Sequence, residues 1–375
     1  MPLCIKAKFE IVTPMFLGDA NSGQCADTIR PPSIKGALRF WWRLLQWPFC
    51  QNLASMHRCE GNLFGRAAND PSSGQSSFLI DVENNYTFRK QGEKLFKNGR
   101  EGIGYLGYGV TLREYILENQ QFIVNFRSRI PLNCGIINAI KAFGLIGGLG
   151  SRARRGFGSC ALLELQDGRT GESLWQAPTT MSDYQAQIRA VFQPAFAQAV
   201  NKSMPPFTAI GPESRMDCLT EPLNDARTVL GQLGRAMVQY RSWGKDGKVL
   251  GEPSERNFPE DHDWLYSQPT KAFHPRRAVF GLPHNYYGSK NHVKHDVTAE
   301  HHERRASPLL LHVHKVGDRY VGMSFLLPAE FLPKGERIKA GGSYVPAYPD
   351  WEVLTDFLDD PKRFPHRDAV LGASA

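Results

Sequence analysis

Apolar and polar residues alternate at the start of the chain, with an apolar side chain at every second position. A period of two is typical of a β-strand whose alternate side chains face the core. The polar positions include Lys6 and Lys8, so the outer face of this strand is basic. The pattern therefore predicts an edge-to-core strand whose inner face carries Leu3, Ile5, Ala7, Phe9 and Ile11.

The next periodic segment has helical spacing. A Pro-Pro-Ser sequence at residues 31–33 predicts a helix start with Ser33 as the N-cap. Apolar residues then recur on one stripe from Ile34 to about Trp47. A second stripe is basic, because residues four apart share a helix face, and it consists of Lys35, Arg39 and Arg43.

The remaining elements of the first half complete a recognisable order. Strands are predicted over residues 76–82, 121–127 and 159–165, a second helix over 136–146, and a hairpin or ordered loop at 102–109. The order β-α-β-β-α-β is that of a ferredoxin-like fold. The sequence thus predicts a ferredoxin-like domain over residues 1–170, and the segment 167–178 at its end has the composition of a linker.

The second half has weaker signals. Helices are predicted over 184–200, 224–240 and 351–358, and a β-hairpin over 309–313 and 320–327, whereas the polar, His-rich region 242–306 has little periodicity. We therefore expect residues 171–375 to form a second α+β domain, a degenerate ferredoxin-like copy with a polar insertion. The fold class predicted for the whole chain is α+β.

Composition narrows the class of protein. Of 375 residues, 41% are hydrophobic and 22% charged, as in globular proteins with a sizeable core. The net charge of +8 favours a polyanionic partner, with nucleic acid ahead of an anionic membrane surface. Seven cysteines without a C-x-x-C pair exclude a disulfide framework. No apolar run approaches the roughly 20 residues that span a bilayer. We expect a cytoplasmic protein without a membrane partner.

A glycine- and arginine-rich loop at residues 147–159 is the most informative motif. Its glycines allow close backbone approach, and exposed amides in such a loop can form an anion-binding nest. Three arginines add bidentate phosphate donors, with no acid between Lys141 and Ala161 to neutralise them. The alternative is a solvated turn with incidental charge. The candidate RNA-binding residues of this loop are Gly148, Gly150, Ser151, Arg152, Arg154 and Arg155.

The basic helix is the second candidate. It mixes cations with the adjacent Trp41 and Trp42, which cannot both face the same way. We expect one ring in the core and one, Trp42, near the cationic face, since aromatic rings and cations together bind single-stranded nucleic acid. A solvated amphipathic face is the alternative.

Catalytic and metal motifs are weak. His292, His295, His301 and His302 have no cysteine or H-E-x-x-H context, so a solvated polar loop is favoured. His312 and His314 are expected on an exposed hairpin face, and the Asp261-His262-Asp263 triplet on the surface. No nucleophile motif or convincing triad is present. We therefore expect no cofactor, no metal and no enzyme.

Two long motifs, residues 13–18 and 30–43, closely resemble the opening of one CRISPR protein family. These are the RAMP proteins that form the first-numbered subunit of type III-B, or Cmr, effector complexes. The glycine loop is similar to the one RAMP proteins share. The segment 304–309, which begins with Arg304 and Arg305, resembles a late motif of the same subunit.

The resemblance implies two ferredoxin-like domains and a non-catalytic RNA-binding subunit of the Cmr complex. It implies crRNA, near its 3′ region, and target RNA as partners, together with the other RAMP subunits. The basic helix and the loop arginines would contact the RNA backbone. Target cleavage in related complexes uses an aspartate of another subunit, for which Asp19 is only a weak counterpart here. Two alternatives stay open: a RAMP-type, metal-independent endoribonuclease that processes CRISPR RNA, using His57, Tyr105 or Tyr108, and a protein-only adaptor.

Overall fold

The computed structural model describes residues 3–18, 26, 28–66, 74–84, 88–89, 102–110, 113–129, 131–267, 273–288, 292, 294–302 and 304–372. In chain order, its N-terminal half contains β1 (Leu3–Ile11), α1 (Pro31–Gln46), α2 (Leu53–Phe64), β2 (Phe78–Asn84), β3 (Phe88–Arg89), α3 (Gly102–Leu106), β4 (Tyr115–Ile116), β5 (Gln121–Ser128), α4 (Cys134–Ile146), β6 (Cys160–Asp167) and β7 (Ser173–Gln176).

Five of these strands form an antiparallel sheet in the order β2-β5-β1-β6-β7. The four strands β1, β2, β5 and β6 with the connecting helices α1 and α4 therefore have the predicted β-α-β-β-α-β order. β1 is central in this sheet, between β5 and β6, and is not an edge strand. The predicted linker instead contributes β7, whose residues pair with β6 as an added edge strand.

The C-terminal half repeats this plan with insertions. It contains α5 (Met181–Ala199), β8 (Arg215–Cys218), α6 (Ala226–Arg241), β9 (Lys248–Val249), β10 (Glu252–Pro253), α7 (Pro259–Ser267), β11 (His284–Tyr287), β12 (Lys294–Ala299), β13 (Leu309–Val316), β14 (Arg319–Leu326), β15 (Arg337–Ala340), β16 (Ser343–Pro346), α8 (Glu352–Asp359) and β17 (Asp368–Gly372).

Two sheets organise these elements. The order β13-β14-β8-β17, with α6 and α8 as the connecting helices, is again a ferredoxin-like order. The predicted α+β class is thereby confirmed. A further sheet, β11-β12-β15-β16, takes two strands from the region that has little sequence periodicity. Buried residues of the two halves pack together, as when Trp41 of α1 stacks on Phe325 of β14. A domain boundary at residue 170 stays a prediction.

Two local predictions in the first half are wrong. α1 begins at Pro31, with Arg30 as the flanking residue, and Ser33 lies inside its first turn. Proline suits this position because its φ is helical and the N–H it lacks has no intrahelical partner there. Residues 102–106 form α3 and not a hairpin. Gly102 and Gly234 let α3 lie against α6, since a Cβ on Gly234 would come within 2.0 Å of the Gly102 carbonyl oxygen.

The histidines of the β13 hairpin are buried, contrary to the exposed face that the sequence predicts. His312 and His314 are each 1% exposed, and the His314 ring stacks on Tyr184 of α5 at 4.1 Å. Alternation correctly places both side chains on one face, but α5 covers that face. Burial lowers the pKa of His312 to about 3 and that of His314 well below its usual value.

The acidic triplet of α7 also differs from its prediction. Asp261 is fully buried and accepts hydrogen bonds from the backbone N–H groups of Arg276 and Arg277, at 2.9 and 3.2 Å. It also accepts from the Arg277 Nε at 3.0 Å and the Tyr286 hydroxyl at 2.8 Å. This carboxylate is therefore a structural anchor between α7 and β11. Asp263 is exposed, as expected.

Candidate nucleic-acid interface

The glycine-rich loop joins α4 to β6 and lies against the segment that follows β1. The Ser151 N–H donates to the Phe16 carbonyl at 2.7 Å, and the Gly158 N–H donates to the Pro14 carbonyl at 2.9 Å. At Gly150, φ is +86° and a Cβ would come within 2.3 Å of the Phe16 carbonyl oxygen. Only glycine fits such a position, because other residues add both a clash and the strain of positive φ.

This packing determines which backbone amides of the loop are available to bind an anion. The amides of Leu149, Ser151, Gly158 and Ser159 all donate to acceptors of the protein itself. A nest of free amides, as the glycine content predicts, is not what these four groups form. The glycines serve close backbone approach, and the charge available to a ligand comes from side chains.

A groove of about 270 Å³ lies between the loop and the N-terminal turns of α1. Its walls are small residues, with Gly148, Gly150 and Ala153 on the loop side and Ser33 and Ala37 on the helix side. The N-terminus of a helix carries a partial positive charge that favours anions. The groove therefore gives a narrow, weakly positive track along the loop.

Two arginines that sequence patterns did not single out lie near the loop: Arg30 lines the groove, and Arg113 lies beside Ser151. The Arg30 Nη2 donates to the Gly18 carbonyl at 3.1 Å, and the Arg113 Nη1 lies 3.4 Å from the Ser151 hydroxyl oxygen. Arg30 is the first residue of the motif 30–43, so the sequence could have pointed to it. Arg113 lies outside any motif, and only the fold brings it to the loop.

Arg152 of the loop and Arg304 of the late motif lie close enough to interact, with Arg152 partly exposed and Arg304 exposed. Arg152 has a φ of +65°, and its Nη2 donates to the Tyr108 carbonyl. Its pKa is lowered by partial burial and by the charge of Arg304. Arg304 is exposed, and among the described residues it has no carboxylate partner. The structure thus joins the glycine loop to the late motif.

Arg154 and Arg305 are used within the protein. The Arg154 Nη1 donates to the Ser307 carbonyl at 2.6 Å, and its guanidinium lies 5.0 Å from the centroid of the Phe40 ring. Burial, followed by the charge of Arg305, lowers its pKa to about 10. Arg305 donates to the Thr208 hydroxyl at 3.2 Å and is largely enclosed. Arg154 thereby connects the loop to α1 and to the late motif, and both guanidinium groups are poorly placed to bind phosphate.

Arg155 differs from Arg154. Within the described part of the chain its guanidinium has neither a hydrogen-bond acceptor nor a carboxylate partner. Burial, followed by the charges of Arg241 and Arg152, lowers its pKa to about 10. A buried cation among other cations is destabilised unless an anion approaches. The uncompensated charges at the loop, meaning cations without a carboxylate partner among the described residues, are therefore Arg152, Arg155 and the neighbouring Arg304.

The basic face of α1 is partly neutralised. The Arg43 Nε and Nη2 donate to the Glu60 carboxylate at 2.6 Å each, and the Arg39 Nε lies 3.2 Å from the same group. Glu60 belongs to α2, a helix that the apolar pattern does not predict, although its Asn52–Ser55 capping box is a start signal. Among the described residues Lys35 has no such acid. Burial and then Arg39 lower its pKa.

The expectation that Trp42 lies near the cationic face is wrong. Trp41 and Trp42 are 3% and 5% exposed, because α4, α2 and α5 cover different sides of α1. The Trp42 ring packs against Phe64 of α2 at 6.0 Å. A ring buried in this way cannot stack on a base.

The described residues include no group of three His, Cys, Asp or Glu side chains that could hold a metal ion. None of the helices in the described part of the chain is both long and apolar enough to cross a bilayer. Asp19 lies outside the described residues.

Comparison with known proteins was made for both sequence and structure. Residues 8–161, from β1 to the start of β6, match the model of the RAMP superfamily. No curated protein sequence matches the chain. The chain is similar to the crystal structure of Cmr1 from Pyrococcus furiosus in its apo form, with 18% identity and a TM-score of 0.59 over 98% of this chain and 99% of that one.

A second similar structure is a chain of the type III-B Cmr-β complex bound to cognate target RNA, solved by cryo-EM. The identity is 13% and the TM-score 0.52, with 96% of this chain and 98% of that chain covered. At these identities the likeness shows the fold. The resemblance to RAMP proteins is confirmed over residues 8–161, and the fold of nearly the whole chain is similar to that of Cmr1.

Proposed function

We propose that this chain is a non-catalytic, RNA-binding subunit of a type III-B CRISPR effector complex in the cytoplasm. It contacts the crRNA 3′ region, the target RNA, or both. Protein contacts fix the position of the RNA backbone, and base pairing supplies sequence choice. This proposal is supported by the match of residues 8–161 to the RAMP superfamily and by the similarity of nearly the whole chain to the Cmr1 fold.

The observation that carries the proposal is the uncompensated charge beside the glycine loop. Arg152, Arg155 and Arg304 come together from two motifs, and among the described residues none has a carboxylate partner. Such a cluster repels itself, so a bound phosphate would offset the repulsion as well as form hydrogen bonds. A run of backbone phosphates is a ligand of matching charge.

The other proposed partners are neighbouring RAMP subunits. The charge of +8 is modest, and a single loop offers few phosphate contacts. Assembly with other RNA-binding subunits would raise the effective affinity without new contacts on this chain.

A salt titration tests the proposal. Each phosphate contact with single-stranded RNA contributes roughly 0.7 to the slope of log K against log salt. The double variant Arg152→Gln and Arg304→Gln should therefore lower the slope by about 1.4. A matched control replaces Arg127 and Arg169, two part-exposed arginines whose guanidinium nitrogens lie 3.8 Å from carboxylates.

Both double variants remove two positive charges, so a global charge effect would be equal in the two. A slope that falls equally in both, or in neither, would remove the loop from the RNA contacts. RNA shortened by the wild-type chain on a denaturing gel would contradict the non-catalytic role and favour the endoribonuclease.

A further inference from the structure

A second, larger cavity of about 690 Å³ opens in the polar region between α6 and β11. Its walls come from the segment after α6, from α7 and from β11. This volume is within the range of small-molecule sites. This cavity is separate from the groove beside the glycine loop, and the arginines of the loop do not line it.

We call this cavity the aromatic pocket, because one of its walls is a row of aromatic rings. Trp243 and His262 stack at 4.1 Å with an interplanar angle of 18°, and Tyr266 follows at 4.8 Å from His262. The Arg256 guanidinium lies 5.5 Å from the Trp243 centroid. All three rings are partly exposed, unlike the core rings of the protein. A planar ring with adjacent cations is the surface on which nucleobases stack.

Arg241 supplies charge deeper in the pocket. Its guanidinium lies 4.4 Å from the Phe280 centroid and 5.8 Å from that of Tyr105, and its buried Nε has no hydrogen-bond partner. Its Nη2 is 3.3 Å from the His284 Nδ1. Burial, then Arg241, lowers the pKa of His284 well below its usual value, so a neutral His284 can accept this hydrogen bond.

The charge of the pocket lining is positive. Among the described residues that line it, the charged side chains are four cations, Arg241, Lys245, Arg256 and Arg277, and one carboxylate, Asp246. Asp261 behind the wall neutralises Arg277, at 3.0 Å from its Nε. Arg241 has no ion pair among the described residues. An anionic group in the pocket would therefore find an uncompensated, desolvated guanidinium.

Arg155 links this pocket to the glycine loop. Its charge acts on both Arg241 and His284, and it also interacts with Tyr105, which lines the pocket. The Arg152 Nη2 donates to the Tyr108 carbonyl, three residues after Tyr105, so α3 and the residues that follow it lie between the glycine loop and the pocket. A chain whose backbone follows the loop can turn one base toward the rings.

We infer that the aromatic pocket holds one unpaired nucleotide of the bound RNA. Its base lies against Trp243, His262 and Tyr266, and its phosphate faces Arg241. This inference rests on the proposed function, because it takes the nucleotide from the same RNA that the loop contacts. Stacking on an aromatic side chain corresponds to about a 5- to 150-fold change in affinity per base.

The test compares Trp243→Ala with Trp175→Ala in the full chain. Trp175 is a matched control, because it is also partly exposed and carries a cation, Lys141, 5.3 Å from its centroid, but lies on β7. Calorimetry would measure binding of the four nucleoside monophosphates, and a filter assay the binding of a single-stranded RNA. Circular dichroism would confirm that both variants are folded.

We expect Trp243→Ala to weaken both the nucleotide and the RNA by at least about fivefold, and Trp175→Ala to weaken neither. Loss of nucleotide binding with unchanged RNA affinity would overturn the RNA source and assign the pocket to a free nucleotide. Equal effects of the two variants, or no nucleotide binding by the wild type, would overturn the pocket itself. Nucleotide binding without any RNA binding would instead refute the proposed function.

Discussion

Replacing Gly150 by alanine tests the claim that the loop glycines serve backbone approach. Gly150 and Gly171 both have positive φ, at +86° and +73°. A Cβ on Gly150 would lie 2.3 Å from the Phe16 carbonyl oxygen, whereas one on Gly171 meets nothing within 4 Å. Gly171→Ala therefore measures the backbone strain alone, and Gly150→Ala measures strain plus the clash.

The expected magnitudes follow from these two terms. Left-handed backbone costs an alanine about 1–2 kcal/mol, partly offset by the 0.4–1 kcal/mol that alanine gains by restricting the unfolded chain. Gly171→Ala should thus destabilise by about 1 kcal/mol. Crowding at Gly150 adds about 1–3 kcal/mol, since the clashing atom also accepts the Ser151 hydrogen bond. We expect about 2–4 kcal/mol for Gly150→Ala.

Urea denaturation of both variants measures the free energies of unfolding, and the salt titration above measures their RNA binding. Gly150→Ala should also weaken RNA binding, because the displaced loop carries Arg152 and Arg155. Gly171→Ala should bind as the wild type does. If the two variants lose equal stability, the close-approach argument is incorrect.

Two further predictions concern groups that the fold buries. Asp261→Ala should lower the free energy of unfolding by about 3–5 kcal/mol, because it leaves the enclosed Arg277 without its carboxylate. The control is Asp263→Ala, whose side chain is 75% exposed and whose removal should change the free energy of unfolding in urea by less than about 0.5 kcal/mol. Equal losses in the two variants would count against a structural role for Asp261. The folded-state pKa of His312 and His314 lies below the unfolded value of about 6.5, so the unfolded chain binds protons that the folded chain does not. Above pH 6.5 these histidines should therefore not lower the free energy of unfolding. As the pH decreases toward 3, the free energy of unfolding should fall by up to about 1.4 kcal/mol per pH unit for each histidine. Urea denaturation at several pH values should show that the free energy of unfolding depends less steeply on pH in His312→Gln than in the wild type. An unchanged pH dependence would contradict the lowered pKa of His312.

Local patterns were sufficient where a signal repeats along one element. The alternation of residues 3–11 correctly predicted β1, and the apolar stripe correctly predicted α1. In each case a regular period reports which side chains share a face. The glycine loop was also correctly located between a helix and a strand, because glycine and arginine density is visible without any partner.

Burial was not visible in the same way. His312 and His314 share a face as alternation requires, but α5, more than a hundred residues earlier, decides that the face is covered. Trp42 is likewise enclosed by α2, a helix of weak periodicity. Whether a polar or aromatic side chain is exposed depends on which element packs over it, and a period carries no information about that.

By itself, then, the sequence determined the α+β class, the order of the main elements and the presence of an arginine-rich loop beside a basic helix. Only the tertiary structure decided which cations are free. Glu60 neutralises Arg39 and Arg43, and Arg154 is enclosed against Phe40, whereas Arg155 is left beside Arg241. Charges and rings interact over a few ångströms of space, and residues from distant segments reach that range only when the chain has folded.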